Sequence, residues 1–381
     1  MKLCKHFNEC GGCRFQDIPY PDQLKAKEDK VRELIAHSEF DIQLKPINHG
    51  DSWYYRNKME FSFGKDLACG LYSKKDKGQI VDINECLIFS PDLGEILKTI
   101  KEFLKSKSHS VYNKYTHQGF LRNLIIRETK FTNQIMIGIV TSSKEKLDRE
   151  GLVKNLLGLK LKSEIKSVFH IINDSLSDAV VFEQKESIYG DGFITEKIND
   201  LWFKIGIDSF YQINPRLMSG FYNKIKDYVS LSKDQTVLDL FCGVGSIGLC
   251  LAPLTKQVWG VEVGSDMVEL AKSNAEINKI KNISFFASDV RRFLNIGDKP
   301  FDKIDYVVIN PPRCGLSNKV KRAILRLKPK GILYSSCNPE SLFDDLESFK
   351  EEYNLDFIEL FDFFPHTSHL ETLVGLKAKK P

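Results

Sequence analysis

Hydrophobic and polar positions divide the chain into three stretches of different period. Residues 21–36 place Leu24, Val31, Leu34 and Ile35 on one side of a helix, with Lys and Glu filling the other as a solvated face. From about residue 45 to 200 the pattern changes to short strands, at 59–63, 123–127, 134–140, 168–172 and 179–183, interrupted by one helix at 93–104. Residues 208–214 read as a strand running into a helix opened by Pro215 and continuing to Val229. From residue 236 strand and helix alternate, with strands at 236–241, 258–261, 282–287, 306–309, 331–336, 357–363 and 370–376. Helices are expected at 246–251, 266–278 and 340–349. This alternation predicts an α/β architecture with a doubly wound C-terminal sheet. The expected domains are a cysteine loop and helix (1–40), a central α+β region (41–205) and the doubly wound domain (206–381).

Composition narrows the class. Hydrophobic content of 42% and charged content of 28% in 381 residues are globular values, which excludes a disordered chain. No apolar run reaches membrane-spanning length, so no membrane partner is expected. The opening MKLCKHFNEC lacks the apolar core of an export signal, so a cytoplasmic protein is expected. A net charge of only +4 restricts any nucleic-acid contact to local patches. In that setting the nine cysteines should be thiols, metal ligands or a nucleophile rather than disulfides.

Cys4, Cys10 and Cys13 form C-x5-C-G-G-C, and Cys86 lies well beyond them, before an apolar segment. Four thiolates suit zinc or an iron–sulfur cluster. One pair, one outlier and one remote ligand look more like a cluster than the two paired knuckles of a zinc site. Cys69 is expected to pack in a strand. Basic and aromatic residues interleave in the central region: Trp53, Tyr54, Tyr55, Arg56 and Lys58, then Lys74, Lys75 and Lys77, then Arg122 and Arg127. Such a mixture suits phosphate contacts and base stacking, and equally an ordinary β surface.

In D-L-F-C-G-V-G (239–245), glycines let backbone approach a ligand, and Glu262 follows at the distance where an acid accepts ribose hydroxyls. With Asp289 and the turn Asn310-Pro311-Pro312-Arg313, the set reads as an S-adenosylmethionine site; nothing else in the chain supports a nicotinamide enzyme. The strand at 331–336 stops at Cys337, and Asn338-Pro339 opens the next helix. A thiol at the carboxyl end of such a strand lies where these sheets place ligands, although a lone cysteine is more often a small core residue. Cys242, Cys250 and Cys314 read as core or loop thiols.

Five motifs in combination, F-Y-Q-I-N-P (210–215), D-L-F-C-G-V-G (239–245), N-P-P-R-C-G (310–315), S-S-C-N-P (335–339) and F-P-H-T-S-H-L-E (364–371), resemble the uracil-C5 RNA methyltransferase family over nearly the whole chain. The N-terminal cysteines resemble those of its iron–sulfur members. The resemblance implies a Rossmann-like class I methyltransferase domain with an N-terminal iron–sulfur segment and a central α+β domain. It implies Cys337 as the nucleophile that adds to carbon 6 of uracil, and Glu371 as the base that removes the carbon 5 proton. It implies that Gln212, Phe241, Glu262 and Asn310 line the S-adenosylmethionine pocket, with Asp289 a further contact. Cys4, Cys10, Cys13 and Cys86 would hold a 4Fe–4S cluster of architectural role.

The expected partner is 23S ribosomal RNA, bound by a monomer. Cys4 leaves no room for the N-terminal β-barrel of one ribosomal type, and L-F-D-F-F-P-H-T (360–367) looks like the other; the C-x5-C spacing departs from that second type. Transfer RNA is the alternative substrate. A non-catalytic RNA-binding assembly factor is the alternative class, which would be expected to have lost Cys337, Glu371 or the glycines. A DNA cytosine methylase is disfavoured, because its thiol follows a proline after the fourth strand.

Overall fold

The structure, a computed structural model, describes residues 2–76, 78–177, 179–229, 232–297 and 299–379; Lys77 of the central basic group lies outside them. Among the described residues no helix is long and apolar enough to cross a membrane. Helix α1 (Tyr20–Ala36) buries Leu24 and Val31 as its pattern requires, but also Gln23 and Lys27. Lys27 is therefore not part of a solvated face. Its ammonium meets Asp362 at 2.6 Å, with both side chains almost fully buried, and donates to the Phe364 carbonyl at 3.1 Å. Tyr20 donates to the other Asp362 oxygen at 2.8 Å. Removing one partner of such a pair leaves an uncompensated buried charge, so Lys27→Met is expected to lower stability by about 3–5 kcal/mol. The check is the urea midpoint, with Lys27→Met/Asp362→Leu recovering most of the loss.

The central region carries β1 (Lys58–Phe63), β2 (Cys69–Tyr72), β3 (Ile80–Asp82), α2 (Leu93–Ser106), β4 (Leu121–Glu128), β5 (Gln134–Thr141), α3 (Arg149–Leu157), β6 (Glu164–Ile172) and β7 (Gln184–Gly190). The strands form one sheet in the order β3-β2-β1-β4-β5-β6-β7. Only β5–β6 is parallel, the connection that α3 spans. Along β4 and β5 successive side chains enter two different cores. Leu124, Ile126, Ile135 and Ile137 pack under α2 and α3, while Ile125, Met136 and Val140 pack toward the C-terminal domain.

The strand expected at 179–183 lies instead at β7. Val180 and Phe182 pack against the core from a loop, whereas β7 is an edge strand whose side chains are mostly exposed. It pairs through its backbone and so leaves no apolar alternation to read. The hairpin of β8 (Ile194–Ile198) and β9 (Leu201–Ile205) is too short to show in the pattern. Asn274 and Asn278 accept from the Lys204 and Trp202 amides at 2.7 and 2.8 Å, tying it to the C-terminal domain. Residues 208–214 are irregular, not a strand. Their carbonyls are taken by the central domain: Gln212 by Asn57 Nδ2 at 2.8 Å, Ile213 by the Asn57 amide at 3.0 Å, and Ser209 by Arg127.

The C-terminal domain continues with α4 (Met218–Val229), β10 (Thr236–Leu240), α5 (Ser246–Leu251), β11 (Gln257–Glu262), α6 (Ser265–Ile277), β12 (Ile283–Ala287), α7 (Val290–Leu294), β13 (Tyr306–Ile309), α8 (Asn318–Leu327), β14 (Gly331–Ser336), α9 (Pro339–Leu346), β15 (Tyr353–Phe361) and β16 (Glu371–Ala378). The sheet order is β12-β11-β10-β13-β14-β16-β15. The first five strands are parallel, and β16 runs antiparallel to both β14 and β15. Residues of α4, α5 and α6 fill one face; those of α1, α7, α8 and α9 fill the other. The sheet is thus doubly wound, with its ligand edge at the carboxyl ends of β10–β14.

Candidate active site

The β14–β16 ladder ends with Ser335 opposite Leu373 and Ser336 opposite Thr372. Cys337 and Glu371 are the next residues beyond that last pair, and the Glu371 charge acts on the Cys337 thiol. Glu371 is only 2% exposed and accepts a hydrogen bond from Ser335 Oγ. Burial pushes its carboxyl up to about 7, against the lowering effect of that hydrogen bond. The half-buried Cys337 thiol is also pushed up, first by burial and then by Glu371, while Arg313 pulls it down. Arg313 Nη2 lies 3.1 Å from His369 Nδ1. Its carbonyl accepts from Asn338 Nδ2 and Ser341 Oγ, both at 3.2 Å, which ties the N-P-P-R loop to the S-S-C-N-P turn. Arg313, His369 and Ser335 were not singled out from the sequence. The only signal was their place inside the three motifs.

The loop leading to Glu371 is gripped by the N-terminal segment. The Arg14 and Phe15 amides donate to the His366 carbonyl at 2.8 and 3.2 Å. Gln23 Oε1 accepts from the His366 amide at 3.1 Å, and the Trp53 ring lies 4.2 Å from the His366 ring. Burial holds His366 down at about 4, so its ring is neutral at pH 7.

A narrow cleft lies at the β10 end, lined among others by Gln212, Asp239, Phe241 and Asn310. Its floor is the turn after β10, where Phe241, Gly243 and Gly245 all adopt left-handed backbone, with φ of 61°, 55° and 81°. A Cβ on Gly245 would sit 2.7 Å from the Phe285 ring, so glycine is required there. Glu262 supports the turn: Oε2 accepts from Gly243 N at 3.1 Å, and Oε1 from Val263 N at 2.8 Å and Gly264 N at 3.1 Å. Asp289 stands apart from the cleft lining, exposed, capping α7 through a 3.0 Å bond from Arg292 N. Asp239 was not singled out, although it opens the G-x-G motif. Its Oδ2 accepts from Gly248 N at 2.9 Å, while its buried Oδ1 has no partner among the described residues. Burial pushes this carboxyl up to about 7.

Cys4, Cys10, Cys13 and Cys86 all line one small cavity between the N-terminal loop and the central domain. All four are free thiols. The Gly12 amide points at Cys10 Sγ from 3.4 Å, and the Gly11 amide donates to the Tyr72 carbonyl at 2.9 Å. A Cβ on Gly11 would lie 2.8 Å from that carbonyl oxygen, so the G-G pair lets the loop press against β2. Burial, with the neighbouring thiols adding, pushes Cys13 to about 11 and Cys86 to about 12. Among the described residues no group of three or more His, Cys, Asp or Glu is gathered tightly enough for a single metal ion.

The doubly wound sheet, with its glycine turn and N-P-P loop at the carboxyl edge, defines a Rossmann-like methyltransferase, and its relatives act on RNA. The chain belongs to the tRNA (uracil-5-)-methyltransferase family, whose profile matches residues 19–379. It is 35% identical over 385 residues to an uncharacterized RNA methyltransferase of Clostridium acetobutylicum, covering 99% of this chain and 84% of the relative. It is 37% identical over 384 residues to another from Caldanaerobacter subterraneus subsp. tengcongensis, with the same coverage. Among solved structures it is similar to the Pyrococcus abyssi tRNA (uracil-54, C5)-methyltransferase in complex with S-adenosyl-L-homocysteine. The identity is 29%, the TM-score 0.79, and the match covers 98% of this chain and 88% of that one.

Proposed function

We propose that this RNA methyltransferase transfers the methyl group of S-adenosylmethionine to carbon 5 of a uridine, through a covalent adduct on Cys337. The observation that supports the reading is the buried Glu371 carboxyl, poised near neutrality and acting on the Cys337 thiol, just beyond the Ser336–Thr372 pair. The Cys337 thiolate bonds to carbon 6, and the carbon 5–carbon 6 π electrons move into the uracil enolate. Carbon 5 then takes the methyl from the sulfonium, whose thioether departs. Glu371 accepts the carbon 5 proton, the double bond reforms, and the thiolate leaves. A base with its pKa near the working pH both accepts and surrenders a proton readily. Arg313 offsets the burial that disfavours the thiolate.

The cleft residues fit the donor. Asp239 lines the cleft and keeps one buried oxygen without a partner among the described residues, while Glu262 holds the left-handed turn through its backbone amides. Gln212, Phe241 and Asn310 would line the donor, with Asp289 outside the cleft as a contact at its rim. The donor supplies an electrophilic methyl; orienting it is the work of these residues.

Cys4, Cys10, Cys13 and Cys86 would hold a 4Fe–4S cluster. Four thiols around one cavity, with an amide directed at one sulfur, and their one-pair, one-outlier, one-remote spacing in the chain support a cluster. Its role is architectural. It would fasten the loop whose next residues, Arg14 and Phe15, hold the loop before Glu371.

The proposed substrate is 23S ribosomal RNA, on the character of residues 360–367. Transfer RNA is the second reading, favoured by the likeness to the Pyrococcus abyssi enzyme. Mass mapping of 5-methyluridine in a strain lacking the protein is expected to show loss at one position of 23S RNA. Loss confined to transfer RNA would establish the second reading, and loss in neither RNA would overturn the function.

A further inference from the structure

Helices α7 and α8 lie side by side and both leave the carboxyl edge of the sheet. Between them runs an open groove lined by Arg291, Arg292, Asn295, Lys319, Arg322 and Arg326. We infer that this groove is a docking track for backbone phosphates of the RNA substrate that lie outside its target loop. The inference rests on the RNA methyltransferase reading and adds to it a second contact surface, distant from the central domain.

The first argument is charge. The chain as a whole is nearly balanced, with 55 basic and 51 acidic residues. Yet five exposed cations share this groove, against a single carboxylate, Asp289, which stands 4.0 Å from Arg291 Nε. Arg292, Lys319 and Arg322 have no carboxylate partner among the described residues. Like charges held together repel, and a polyanion relieves that repulsion while releasing its own counterions.

The second argument is mounting. Val290, Phe293 and Leu294 of α7, and Val320, Ala323 and Ile324 of α8, are buried in the core beneath, so the cations stand on packed helices rather than on loops. Asn295 Oδ1 accepts from Arg326 Nη2 at 2.8 Å and fixes the far end. Four of the five cations are arginines, whose planar forks match phosphate oxygens.

The third argument is direction. Helix α8 follows directly on the loop that carries Arg313, so one end of the groove opens at the catalytic edge. From Lys319 to Arg326 the helix rises about 10 Å, the length of a few nucleotide steps. The groove is open and lined almost wholly by cations, which suits backbone contacts.

The test uses the full-length enzyme with Arg292→Gln, Lys319→Gln and Arg322→Gln combined. Binding is measured across a salt series on transcribed 23S RNA, or on transfer RNA if that is what the enzyme methylates. A short hairpin presenting a loop uridine serves as the probe that cannot reach the groove. On the long RNA the slope of log affinity against log salt is expected to become shallower by about 2, at roughly 0.7 for each phosphate no longer neutralised. Affinity and methylation rate on the hairpin are expected to stay unchanged. An unchanged slope on the long RNA overturns the proposal, and so does equal weakening on both probes. An unchanged RNA slope with loss of binding to polyglutamate would assign the groove to an acidic protein instead, and also overturns it. Failure of the wild type to methylate either RNA would overturn the reaction, while the slopes would still report on the groove.

Discussion

Glu371→Gln is expected to arrest the enzyme as a covalent complex with methylated RNA. Cys337 still attacks carbon 6 and the methyl still transfers, but the amide cannot take the carbon 5 proton, so the thiolate is not expelled. The complex should survive denaturing electrophoresis and carry label from radioactive S-adenosylmethionine, with turnover lowered about 10²–10⁴-fold. Cys337→Ala should form neither adduct nor product. Free labelled RNA released at the wild-type rate by Glu371→Gln would show that another group is the base.

The pH dependence has a definite sign. Burial raises the Glu371 carboxyl from 4.5 to about 7, so it becomes a competent base only as pH rises through about 7, and wild-type turnover should rise there. For stability the same shift acts in reverse. Between about 4.5 and 7 the folded protein binds a proton that the unfolded chain has lost, so this group's contribution to stability falls as pH rises. Glu371→Gln removes that ionisation. The inactive variant should therefore lose less stability than the wild type between pH 5 and 8, as read from urea midpoints.

Cys86→Ser is expected to have the second largest effect. Anaerobically purified wild type should be brown, with iron and sulfide in equal amounts, and the variant should lose both. Of the four proposed cluster ligands Cys86 alone lies outside the loop at 4–13, so its loss is expected to loosen that loop from the central domain. Arg14 and Phe15 then hold the His366 carbonyl less firmly, and Glu371 sits at the end of the same loop. Methylation should fall, and limited proteolysis should open within the first 19 residues before it touches the sheet. Stoichiometric zinc with no iron after anaerobic preparation would sink the cluster assignment while leaving the fastening role to that ion.

Much of the fold was legible because the inner parallel strands β11, β10, β13 and β14 are covered on both faces and so read as largely apolar runs between turns. The glycine turn, the N-P-P loop and the strand-end thiol declare themselves because each needs particular residue types at fixed spacing. The pattern fails where burial and hydrogen bonding separate. Strand β7 has polar side chains and pairs through its backbone, while the apolar 179–183 segment before it packs as a loop. Lys27 reads as a solvated charge by residue type, yet helical spacing puts it between Leu24 and Val31 on the buried side of α1, where Asp362 and the Phe364 carbonyl satisfy its ammonium.

The site divides in the same way. Cys337 and Glu371 are separate motifs in the chain. The antiparallel register of β14 on β16 brings the two chain segments together at Ser336 and Thr372, and a slip of one residue would turn Glu371 to the other face. The raised carboxyl of Glu371, the open lone pair of Asp239 and the pull of Arg313 on the thiol depend on what surrounds them, which local sequence does not encode. Residue types and spacing determine which chemistry the chain can carry. Which groups meet, and at what protonation, is set by long-range packing, because desolvation and charge act through space between residues far apart in the chain.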